Sequence, residues 1–172
     1  LAAELDARFG RRTTAAKLTD VPGCTRAALP FFARAGVRFL HVGVNPATPV
    51  PDVPPVFRWR GPTGAEVIAA FSGDYGRRVA VPGLATELHF AHTGDNHGPQ
   101  GAAQVEAFFA ALRAAHPAAE VCAGTLDEFA RELEKVRGRL PVVTQEIGDT
   151  WVHGVASDPQ KVARYRALTA WR

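Results

Sequence analysis

Asp20, Asn45, Glu146 and the trio Asp95-Asn96-His97 have one thing in common. Each closely follows a short run with strand character. Asp149, Trp151 and His153 come a few residues after the last such run. Carboxylates, an amide and imidazoles brought from separate strand ends into one hollow would suit acid–base or nucleophilic chemistry. Crowding three acids into one pocket raises the pKa of at least one of them unless a cation neutralises the group. The pattern therefore predicts either an acid/base pair or a metal site. Gly23, Gly94 and Gly148 lie near these residues, and glycine allows a ligand to come close to the backbone.

Each of these residues also has a plainer reading. In the stretch AKLTDVPGCT, Asp20 either caps the helix that follows or is held out at the mouth of a strand. Asp95 and Asn96 are also good turn formers, and His97 reads equally as a loop residue. Trp151 could stack on a sugar ring or roof the core. His41 and His89 lie inside strand-like runs and read as core histidines. His92 alternates toward the pocket mouth. Asp158, directly before Pro159, reads as a helix cap.

The elements that must position these groups follow from periodicity. Residues 13–19 form a weak strand. Residues 25–35 read as a helix that Pro30 shortens or kinks and Gly36 ends. The nearly continuous apolar run 37–44 predicts a buried parallel strand. A proline-rich loop at 46–55 precedes a hairpin whose arms are 56–60 and 65–71. Residues 72–86 read as irregular and 87–94 as a strand. Val105, Phe108, Phe109 and Leu112 mark a helix over about 100–115. A short strand is expected at 119–124. Thr125 and Glu128 form a capping-box pattern before a helix that stops at Gly138. Residues 140–147 predict another strand and 159–171 a closing helix. Strands alternating with helices predict an α/β fold, a mostly parallel sheet with one β-hairpin insertion, in a single domain over 1–172. Such a sheet is either open or curled into an incomplete barrel, and its strands' carboxyl ends carry the functional face.

Composition narrows the function. Apolar residues make up 47% and charged residues 22% of the 172, as in ordinary globular proteins. The formal charge of +3 is small and scattered, so nucleic acid is not an expected partner. No apolar run approaches the roughly 20 residues needed to span a bilayer, and no secretory signal is visible. Cys24 and Cys122 lie far apart without metal-ligand spacing, which fits a reducing, cytoplasmic setting. Leu1, Leu5 and Phe9 look like the end of a helix, so a preceding segment is expected. The oligomeric state is not set by these features.

The motifs resemble a known family. TDVPGCT (19–25) followed by a helix resembles the Asp-x-Phe-Gly-His-Ser stretch of glycoside hydrolase family 38, the class II alpha-mannosidases. TGDNHGP (93–99) resembles their Gly-Asp-Asp loop, and EIGDTWVHGVASDPQKVARYR (146–166) is loosely similar to a later segment. The stretch 16–166 looks closer still to the bacterial group called domain of unknown function 5054, through TDVPG and EIGDTWVHG. The resemblance implies an incomplete (β/α) barrel of the glycosidase/deacetylase type acting on an alpha-linked sugar such as an alpha-mannoside. It implies Asp20 as both nucleophile and ligand of a divalent metal, zinc in the family. It implies Asp95 as proton donor, with Asn45, Asn96, His97, Glu146, Asp149, Trp151 and His153 lining the sugar site. A metal-dependent carbohydrate deacetylase and a non-catalytic carbohydrate-binding barrel are the alternatives. The chain departs from the family at Cys24, where the family has His, and at Asn96, where it has a second acid. The family's early His-x-Asp ligands do not occur before Asp20.

Overall fold

A computed structural model describes residues 2–21, 24–76, 78–94, 97–148 and 158–171. The chain is α/β, built on a mostly parallel five-stranded mixed sheet. Strands β1 (Ala15–Thr19), β2 (Phe39–Gly43), β3 (Val56–Arg60), β4 (Glu66–Ser72) and β7 (Val142–Val143) lie in the order β1-β2-β4-β3-β7. The β1–β2, β2–β4 and β3–β7 pairings are parallel, and β3–β4 is antiparallel. The expected hairpin is present, but it is no appendage. Its second arm, β4, lies in the middle of the sheet. The five strands do not close on themselves among the described residues, and β1 and β7 are the edges.

Strand alternation divides the core between the two faces. Phe39, Ile68, Ala70 and Val56 point to one face, where Phe129, Ala130 and Leu133 of α4 (Leu126–Glu134) cover them. Leu40, Val42, Phe57, Trp59, Val67 and Ala69 point to the other, against Leu29 of α2 (Leu29–Arg34), Cys24 and Ile147. Phe57 and Trp59 share this face, as their alternation predicted. β2 is buried along its whole length, which explains its unbroken apolar run.

Helix α4 starts at the expected capping box. Thr125 Oγ1 accepts the Glu128 N–H at 3.2 Å, and Glu128 Oε2 accepts the Thr125 N–H at 2.6 Å. Asp127, in its first turn, also pins the start of β1. Its Oδ1 accepts the backbone N–H groups of Thr14 at 2.6 Å and Ala15 at 2.8 Å. Edge amides that would otherwise face solvent are thereby paired.

Several elements differ from expectation. The helix expected at 25–35 opens as a 3₁₀ turn (Arg26–Ala28), and Pro30 lies in the first turn of α2, where its missing N–H costs nothing. The strand expected at 87–94 contracts to β6 (Leu88–His89), which pairs with β5 (Arg78–Val79) in a separate two-stranded sheet. No strand forms at 119–124, and the strand expected at 140–147 contracts to β7. Short apolar runs lack ladder partners at these places, and a strand exists only by pairing. α3 (Ala102–Ala115) and α5 (Pro159–Thr169) form as expected, with Asp158 capping α5 by accepting the Lys161 N–H at 3.0 Å. α1 (Ala2–Phe9) precedes β1. Neither Cys24 nor Cys122 is in a disulfide. No helix among the described residues is long and apolar enough to cross a membrane.

Candidate functional site at the carboxyl edge and its adjoining cleft

Three adjacent parallel strands, β1, β2 and β4, end side by side. Asp20 follows β1 directly and is exposed. Its N–H donates to Gly43 O of β2 at 2.9 Å, which continues the ladder one step. Its φ of +53° is the one positive value at a non-glycine among the described residues. That conformation is uncommon outside glycine and tolerated by Asp, and it turns the chain sharply off the strand. The cap of the following 3₁₀ turn is Thr25, whose Oγ1 accepts the Ala27 N–H at 3.3 Å. The carboxylate of Asp20 is therefore not its cap.

Asp20 meets the neighbouring strand ends through Tyr75. The Tyr75 hydroxyl donates to Asp20 Oδ2 at 3.4 Å and accepts from Asn45 Nδ2 at 3.2 Å. A phenol has a single proton. With Asn45 donating into the oxygen, that proton is directed at Asp20. Gly43 allows this arrangement, since a Cβ there would come within 2.9 Å of the Asp74 and Tyr75 backbone.

Beneath this edge lies a polar layer on the α4 face. Lys17 Nζ donates to Thr19 Oγ1 at 2.5 Å and to Tyr75 O at 2.6 Å, and sits 5.0 Å from the Phe90 ring centre. Burial lowers the Lys17 pKa, and nearby Asp74 acts against this. His41, fully buried beside it, shares a 3.1 Å hydrogen bond with Ser72 Oγ and packs on Phe90 at 4.6 Å between ring centres. Burial, then the Lys17 charge, push the imidazole down to about 3, so His41 is neutral at ordinary pH. A Cβ on Gly76 would strike His41 Cε1 at 2.7 Å, so glycine is required there. His41 is the core histidine that its strand position suggested.

Phe90 leads into an open cleft of about 740 Å³ between the 89–100 segment and α3. His89, His92, His97, Gln100, Gln104 and Phe108 are among its walls. His92 links the cleft to the edge, its ring lying 5.4 Å from that of Tyr75. His97, expected at the sugar site, lines this cleft and is exposed. Around His89 of the cleft wall, Glu87, His89 and His116 bring one ligand atom each to within 4.8 Å of one another, so this cluster could hold a metal ion. Arg78, through hydrogen bonds of 2.8 and 2.5 Å, draws the Glu87 carboxyl down to about 2, which keeps it ionised.

Glu146 is held by the 3₁₀ turn at Arg26–Ala28. β7 runs against β1, β2 and β4, so the chain after it leaves the sheet from the edge where those strands begin. Glu146 accepts the Arg26 N–H at 2.8 Å and pairs with Arg26 Nε at 3.4 Å, while Arg26 also bonds Thr144 O. Glu146 thus anchors the 3₁₀ turn. Asp95, Asn96, Asp149, Trp151 and His153 lie outside the described residues.

Sequence reading missed Tyr75, Lys17, Glu87 and His116 and took His89 for a core histidine. Glu87-x-His89 does carry a signal, since alternate positions on an extended strand face the same way. The residues described around Asp20 do not by themselves complete the zinc site that the resemblance implies. Among the described residues, no trio of metal-ligating side chains includes Asp20, and zinc needs three or four ligands. No known protein-family profile matches the chain, and no curated protein matches it in sequence.

Proposed function

We propose that the chain is the core of a glycoside-hydrolase-like protein, an incomplete (β/α) barrel acting on an alpha-linked sugar such as an alpha-mannoside. The observation that carries this reading is Asp20. It is an exposed carboxylate at the end of a parallel strand, not used as a cap, with a tyrosine hydroxyl aimed at it. In a retaining hydrolysis Asp20 attacks the anomeric carbon, and the bond to the leaving oxygen breaks as a second acid protonates it. Tyr75, held in turn by Asn45, keeps the nucleophile oriented. Asp95, from the resemblance, is the proton donor.

Incubation with an activated 2-deoxy-2-fluoroglycoside followed by peptide mass spectrometry tests the assignment. A covalent label on Asp20 is the expected result, with Asp20→Asn unlabelled and slowed roughly 1,000-fold or more. Tyr75→Phe is expected to slow turnover roughly 10- to 100-fold with little change in stability. A label on another carboxylate removes Asp20 from the role. Calorimetric sugar binding without turnover makes the protein a carbohydrate binder instead.

A further inference from the structure

We propose that Glu87, His89 and His116 form a zinc-class metal site that staples the carboxyl end of α3 to the β5–β6 hairpin. This does not depend on the role given to Asp20.

The ligand set is two imidazoles and one carboxylate. Imidazole suits zinc and its neighbours in the first transition row, whereas magnesium and calcium favour all-oxygen sites. Metal–ligand bonds of about 2.0–2.2 Å in tetrahedral geometry place ligand atoms roughly 3.4 Å apart. Glu87 Oε2 and His89 Nε2 already stand 3.2 Å apart. The His116 ring lies across from that of His89, with centres 5.6 Å apart. Closing the remaining gap takes a side-chain rotation, because all three ligand atoms lie within 4.8 Å.

The placement supports a staple. Glu87 directly precedes β6 and His89 ends it, and β6 is held by the register of Arg78 with His89. His116 is the C-cap of α3, where the negative end of the helix dipole favours a cation. α3 needs such an anchor, since none of its residues is fully buried. Arg78 holds the Glu87 carboxylate and stands in for a cation there. A metal would take over part of that charge.

Zinc chloride titrated into the Cys122→Ser protein, which removes the exposed thiol as a competing ligand, tests the site by calorimetry. One equivalent is expected to bind, at least roughly 100-fold more weakly in His89→Ala and in His116→Ala. Arg78→Gln, by releasing Glu87, is expected to tighten binding. Cobalt(II) in place of zinc is expected to give the strong visible bands of four-coordinate geometry. Hydrogen exchange of the α3 amides is expected to slow on zinc addition, and not in His116→Ala. Circular dichroism without metal checks that each variant folds, and His116→Gln replaces His116→Ala if it does not. Absence of binding by the folded protein, or undiminished binding by the His116 variant, overturns the site. Binding with unchanged exchange in α3 overturns the stapling role.

Discussion

Helices α3 and α4 are both plain in the sequence, yet α4 buries Phe129, Ala130 and Leu133 while α3 buries no residue completely. The difference lies in what surrounds the apolar residues. In α4, Asp127, Glu128, Arg131, Glu132 and Glu134 leave one narrow apolar stripe, so one face alone can dock. In α3, Val105, Phe108, Phe109 and Leu112 share the helix with seven alanines, which favour helix formation on every side but select no face. Periodicity specifies that a helix forms. Charge on the other faces specifies where it goes.

Phe129→Ala is expected to have the largest effect, because it opens a cavity between α4 and the Phe39 ring, which it meets edge-on at 5.7 Å between centres. A loss of about 3–5 kcal/mol in urea unfolding is expected, against about 1 kcal/mol or less for Phe109→Ala in α3. Equal losses at the two sites would erase the contrast.

The α4 side of the sheet should also make the fold acid-sensitive. His41 has a folded pKa near 3, below its unfolded value, so the unfolded chain binds more protons between about pH 6.5 and pH 3. Stability is therefore fully present above that window and falls as pH drops through it. Lys17 and Asp74 are the charges beside the ring, and Phe90 and Ser72 complete its surroundings. Between pH 6.5 and 4.5 the loss attributable to His41 is about 2–3 kcal/mol. The difference between wild-type and His41→Leu unfolding profiles isolates it from the carboxylates. A difference that does not vary with pH would show that burial of the ring is incomplete in solution.

The smallest effect concerns how α4 begins. Thr125→Ala removes the acceptor for the Glu128 N–H and is expected to cost about 1 kcal/mol. Thermal melts that leave this variant level with wild type would show that Asp127, through its bonds to Thr14 and Ala15, fixes the helix start alone.

The candidate site was only half legible in the sequence, and its residues show why. Asp20 and Asn45 could be placed because each follows its own strand in the chain. Tyr75 could not, being 55 residues from Asp20 in a stretch without periodicity and brought there by a backbone crossing at Gly43. The direction of the run before Glu146 could not be read, because a strand's direction depends on its neighbour. β7 pairs with β3, the reversed arm of the hairpin, and inherits that reversal.

The sequence by itself determined what is local. The capping box of α4, the buried run of β2, the hairpin arms and the Asp158 cap all rest on contacts between near neighbours or on burial patterns that hydrophobicity records directly. Tertiary structure alone decided which strand ends share an edge, that the 88–89 run leaves the main sheet, and that Glu87, His89 and His116 meet. Those outcomes depend on pairing partners far apart in the chain, and hydrophobic burial is non-directional, so apolar residues mark a surface for burial without naming its partner.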